Sequence, residues 1–180
     1  MKFLLRRITA LLLVILLLTA LSGCSLFQKA AINGISVSKF TIVYSDDQPD
    51  YTLRAAEYIQ SQLLSRTGVE VPICEDDSET YDHEILVGNT NRQLSNAVRP
   101  DSRNMEFYLT ADENHIAING DYFIIAAAAY YFVETYITGE KFESTIPAGE
   151  VIAATPITAA PNHFIIFTCH ITVHPLCSFY

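Results

Sequence analysis

EFYLTADENHIAINGDYFIIAAAAYYFV, residues Glu106–Val133, contains the change of hydrophobic rhythm that decides the fold. Glu106–Thr110 and His115–Asn119 are short, rich in aromatic and apolar residues, and separated by the polar Asp112, Glu113 and Asn114, which predicts a hairpin. Gly120 and Asp121 end it and cap a helix. Phe123–Val133 then runs for eleven consecutive apolar residues, four of them alanines, and the pattern continues through Tyr136 towards Gly139. That run is too short to cross a bilayer, which takes about 20 residues. A helix apolar all round belongs in a core, and alanines let it lie close against a sheet.

Upstream of this stretch the rhythm alternates between strand and helix. Lys39–Tyr44 reads as a buried strand that stops at Ser45, Asp46, Asp47, Gln48 and Pro49. Asp50 is placed to cap a helix. Leu53, Ala56, Ile59 and Leu63 recur three or four apart, with Arg54, Glu57, Gln60 and Arg66 on other faces, so an amphipathic helix is predicted up to Gly68. Val69–Val71 starts a second short strand and Glu84–Gly88 forms a third, closed by Asn89, Thr90 and Asn91. Arg92–Val98 has room for one or two helical turns before Pro100. The order predicts an α+β fold, a mixed sheet of about five strands with two main helices packed against it, over residues 36–154.

The amino terminus has a different character. Lys2, Arg6 and Arg7 precede an uncharged stretch from Ile8 to Leu21, followed by Ser22, Gly23 and Cys24. A basic start, an apolar run and small residues make a secretory signal over residues 1–23. With the cysteine, Leu21–Cys24 resembles the lipobox of bacterial lipoproteins. That resemblance implies that the Cys24 thiol carries a diacylglycerol and that the mature chain starts there. It places the protein on the extracytoplasmic face of a bacterial cell membrane, its lipid partner held through Cys24, with residues 24–35 as a tether.

Removal of residues 1–23 takes away Lys2, Arg6 and Arg7 and no acid, moving the formal charge from −9 to −12. The remaining Lys and Arg are scattered singly, without the basic stripe that displaces counterions from phosphates, and this excludes a nucleic-acid partner. Cys74, Cys169 and Cys177 have no metal-cluster spacing, and a Cys169–Cys177 bridge in an oxidising exterior stays open.

Four stretches together are similar to one known domain. They are Ala55–Ile59 leading into Leu64–Pro72, the strand and turn Glu84–Arg92, the hairpin end Ile116–Gly120, and the alanine-rich helix after it. From about Phe40 to Ile137 the chain resembles the small α/β domain that precedes the catalytic barrel in family 20 glycoside hydrolases, the β-N-acetylhexosaminidases, and in α-glucuronidases. The resemblance implies a hexosaminidase domain-2-like sandwich, an accessory part whose catalytic Asp-Glu pair sits on a separate barrel. The chain ends where that barrel would begin, so architecture is implied and activity is not. A hydrolase domain acting on glycans or phosphoesters would then be missing, or the chain would itself bind a glycan through tyrosines set on one face. Tyr130, Tyr131 and Tyr136 fit a helix pattern equally well.

No other constellation carries chemistry. His170 and His174, with Cys169 or Cys177 near, have zinc-like spacing only on a helix, which Ile171, Val173 and Pro175 oppose. Glu75, Asp76, Asp77, Glu79, Asp82 and Glu84 offer calcium oxygens but lack the glycine of a tight calcium loop, so a solvated acidic loop is expected. Asp46-Asp47 and Asp112-Glu113 read as turn residues, and His83 and His115 as satisfied structural histidines. No catalytic residue, metal site or cofactor is expected. Val151–Tyr180 holds no charged residue. Either Phe164–Phe167 and Ile171–Val173 are buried strands, or residues 155–180 are a truncated or non-native tail, the reading preferred here.

Overall fold

The computed structural model describes residues 30–47, 49–97, 106–122, 124–148, 150–154 and 172–175. The expected hairpin is present: β6 (Phe107–Ala111) pairs antiparallel with β7 (His115–Gly120), Leu109 opposite Ile118. β7 lies parallel to β5 (Glu84–Val87), and β5 lies parallel to β3 (Thr41–Tyr44). With strands on both sides, all four residues of β5 are buried, which explains its continuous rather than alternating apolar pattern. β4 (Ile73–Glu75) adds a parallel edge next to β3. It starts later than Val69–Val71, the stretch read as strand. Val71 is buried in the core, but Ile42 donates its amide to the Pro72 carbonyl, and the ladder runs on from there.

Four of these five strands are those expected, and β4 stands in place of the strand read from Val69. β9 (Glu150–Ala154) pairs antiparallel with β6, and β10 (Thr172–Pro175) with β9, completing a seven-stranded mixed sheet in the order β10-β9-β6-β7-β5-β3-β4. Part of the uncharged tail is therefore strand, while Phe164–Phe167 lies outside the described residues.

α1 (Pro49–Thr67) opens on Pro49, where a missing N–H costs nothing, so Asp50 sits inside the first turn near the positive helix end instead of capping from outside. Thr52, Ala55, Ala56, Ile59 and Leu63 are its buried side. α3 (Ile124–Tyr136) buries Ile125, Ala128, Ala129, Phe132 and Val133, whereas Ala126 and Tyr130 are exposed. The expectation of a helix buried all round is thus corrected: α3 lies against both the sheet and α1, and one stripe is left to solvent. The cross-strand row Ile42, Ile85 and Ile116 joins both helices in the main core, an α+β arrangement with the two long helices on one face. Among the described residues no helix is long and apolar enough to cross a membrane.

The opposite face is thinner. Val43, Leu86 and Ala117 form its apolar row, covered by Tyr81 and by Leu94 of α2 (Gln93–Asn96). A separate ribbon of β1 (Ala31–Ile32), β2 (Ile35–Ser36) and β8 (Glu143–Ser144) binds the start of the chain to the segment after α3. Asn33 and Gly34, with φ of 51° and 75°, make the tight turn between β1 and β2, and Ile32 is fully buried. Ala30–Ile35, the last part of the stretch expected as tether, thereby belongs to the fold.

Candidate functional site

In open sheets with parallel strands, ligands usually enter a crevice at the carboxyl ends of the strands. Here that edge is closed by the chain itself. Ser45, just after β3, donates its hydroxyl to the Asn89 carbonyl at 2.9 Å, and Thr52 of α1 donates to the Ser45 carbonyl at 2.6 Å. Gly88, at φ 85°, lets α1 approach so closely that a Cβ there would stand 2.6 Å from Thr52 Cγ2.

The acidic loop after β4 is tied down from within. Glu84, fully buried, accepts from the Arg92 guanidinium at 3.1 Å and from the Tyr81 amide at 2.9 Å. The same guanidinium donates to the carbonyls of Asp76, Ser78 and Glu79. Asp76 is buried and accepts from the Asn91 amide at 2.9 Å; desolvation raises its pKa against that bond. Glu75 accepts from the Tyr44 hydroxyl at 2.7 Å, and this bond, followed by burial, pushes the tyrosine from 10.0 to about 12. A proton held more tightly in the folded chain adds stability that is present below the ordinary value and lost as pH rises towards the raised one. Among the described residues no three histidines, cysteines or acids are grouped to hold a metal ion.

Asp112 behaves as a turn residue, accepting the amides of Asn114 at 2.8 Å and His115 at 2.6 Å. Desolvation acts to raise its pKa, but these amides and the His115 ring at 3.1 Å outweigh it and hold the carboxyl below its usual range. Asp46 and Asp47 lie in the turn after β3, with Asn89 donating to Asp47 at 3.3 Å. His115 is satisfied as expected. His83 differs: its ring stands 5.9 Å from that of Phe40, and its buried Nδ1 has no hydrogen-bond partner among the described residues. Cys74 is free, its sulfur 3.5 Å from the Tyr81 hydroxyl. Cys24, Cys169, His170 and Cys177 lie outside the described residues, and His174 falls in β10, a strand, not the helix a zinc spacing would use.

What the sequence left undecided is a face built by α1 and α3. The helices follow parallel strands and run side by side in one direction, so equivalent turns meet. Tyr51 and Tyr122 meet edge to face at 5.9 Å, one step further Tyr58 and Tyr130 stack at 6.4 Å, and beyond them Arg66 pairs with Glu134. Tyr51, Tyr122 and Tyr130 are 43%, 55% and 43% exposed. Desolvation, then the Glu134 charge and Tyr130, raises the pKa of half-buried Tyr58, while Arg66 acts to lower it. By contrast Tyr131 packs on Phe107 at 5.6 Å, and Tyr136 is buried. At the far end of α1, a groove of about 440 Å³ is lined by Ala30, Ser36, Leu64, Arg66, Gly68 and Lys141, among others.

Fold and faces together define an α+β domain whose sheet is sealed at its carboxyl edge and whose paired helices show tyrosines to solvent. No family model and no curated protein matches the chain.

Proposed function

We propose that this chain is an extracytoplasmic lipoprotein, anchored in a bacterial membrane through Cys24, whose folded part is a non-catalytic accessory domain of the kind that accompanies carbohydrate-active hydrolases. The observation that carries the reading is the closed carboxyl edge. Ser45, Thr52, Gly88 and Asn89 fill the place where such a sheet would admit a substrate, and Arg92 ties the neighbouring acids into the fold.

The test is expression of the full chain in a bacterial host with labelled palmitate. Wild type is expected in the membrane fraction with label, and Cys24→Ala as an unlabelled, unprocessed precursor. Mass spectrometry that finds an unmodified thiol at residue 24 in membrane-extracted mature protein would sink the anchoring.

A further inference from the structure

We infer that the tyrosine face of α1 and α3 is a stacking platform for an uncharged polysaccharide strand, a reading that rests on the extracytoplasmic placement above. Three of the four large hydrophobic side chains exposed among the described residues, Tyr51, Tyr122 and Tyr130, belong to this face. Tyr122 is the most exposed, and its backbone sits at φ 44°, a conformation that side chains other than glycine adopt at a cost. The fold accepts that cost where the exposed Tyr122 ring meets the Tyr51 ring edge to face. Ala126, between Tyr122 and Tyr130 in the chain, is also exposed.

Spacing and charge select the occupant. Seven residues along α1 set Tyr51 and Tyr58 about 10 Å apart, and their rings meet those of Tyr122 and Tyr130 at 5.9 Å and 6.4 Å. The spacing along α1 is close to the length of one disaccharide unit in an extended β-linked chain, so every second sugar would meet a pair of rings. The apolar C–H face of a sugar carries the partial positive charge that an aromatic face attracts. Asp50, Glu57 and Asp121 are chain neighbours of these tyrosines, and the one arginine of the ladder, Arg66, is paired with Glu134. On a mature chain of formal charge −12 this border repels an anionic polymer and tolerates a neutral one.

The experiment uses the full chain in a detergent without sugar groups, titrated calorimetrically with cellohexaose and chitohexaose. Wild type is expected to bind at least one hexasaccharide saturably. The double variant Tyr51→Ala, Tyr130→Ala should bind at least about tenfold more weakly with unchanged thermal unfolding, while Tyr51→Phe, Tyr130→Phe retains most of the affinity. Leu64→Ala, at an exposed position in the groove at the other end of α1, should leave binding intact. Absence of binding at millimolar sugar, equal binding by the alanine double variant, or a wild-type dimer in sedimentation that the double variant abolishes would each overturn the proposal. Failure of the anchoring is read separately, because Cys24→Ala should lose lipid and membrane attachment but keep the sugar affinity.

Discussion

Arg92 shows how a single side chain can decide what an acidic loop is for. Its guanidinium meets the buried Glu84 carboxylate and three carbonyls of the 76–79 turn, so every direction in which it can donate is used inside the domain. Removing one partner of such a pair leaves the other charge buried and uncompensated, which costs about 3–5 kcal/mol. Arg92→Ala is expected to lose stability of that size in urea unfolding. Arg92→Lys should recover only part of it, since a single ammonium cannot reach the carboxylate and the carbonyls together. A loss under about 1 kcal/mol for Arg92→Ala would show that the clamp is not what holds the loop. Glu84 could be read from the sequence as the start of a strand and as one oxygen among several. Its role as partner to Arg92 could not, because the intervening chain must first turn back beneath the sheet.

At the scale of one element, α3 separates positions that a periodic reading treats alike. Its four alanines occupy four different azimuths: Ala128 and Ala129 are buried, Ala127 is half-buried against the core, and Ala126 faces solvent. A carboxylate at Ala128 or Ala129 meets the sheet without a partner. Desolvation then costs several kcal/mol or forces protonation, a large part of a domain stability of roughly 5–15 kcal/mol. Ala128→Glu should therefore abolish cooperative unfolding near ambient temperature, whereas Ala126→Glu should stay within about 0.5 kcal/mol of wild type. Circular dichroism melts of both variants check this, and equal behaviour of the two would refute the placement of α3. The apolar run by itself predicts burial on every side. The solvent stripe arises because the sheet lies under one side of the helix and α1 beside it, leaving Ala126, Tyr130 and Glu134 outside.

For the whole molecule, the arrangement of layers bears on activity. The two long helices occupy one face of the sheet, the loop and short α2 the other, and the carboxyl edge is filled by Thr52 and Ser45. Glycoside hydrolysis usually requires two carboxyl groups facing across a pocket, whereas Asp46, Asp47 and Asp112 sit in turns, Glu75 accepts from Tyr44, and Glu84 is held in the Arg92 clamp. The full chain is expected to hydrolyse neither aryl N-acetylglucosaminides nor aryl phosphates in a chromogenic assay. Turnover that survives extensive purification and is lost on substitution of a single acid would contradict the accessory-domain reading.

Local chemistry along the chain was enough to determine the two long helices and the central strands, but not β1, β2, β8 or β9. The hairpin from Phe107 to Gly120, the buried β5, the apolar side of α1 and the cap at Gly68 follow from periodicity and turn residues alone, because backbone hydrogen bonds and side-chain alternation act over a few residues. Even the β1–β2 turn was written there, as Asn33-Gly34, a strong hairpin signal set in a stretch too short to show alternation. Tertiary structure alone decided where strand pairing begins after Pro72, the placing of β9 against β6, and the pairing of Glu84 with Arg92. It also decided the tyrosine face. A periodic pattern states that Tyr51 and Tyr58 share a side of one helix and puts Tyr130 on a side of another, with Tyr122 just ahead of its start. That the two sides meet depends on the parallel course and relative rotation of α1 and α3, which are set by the sheet both helices pack on.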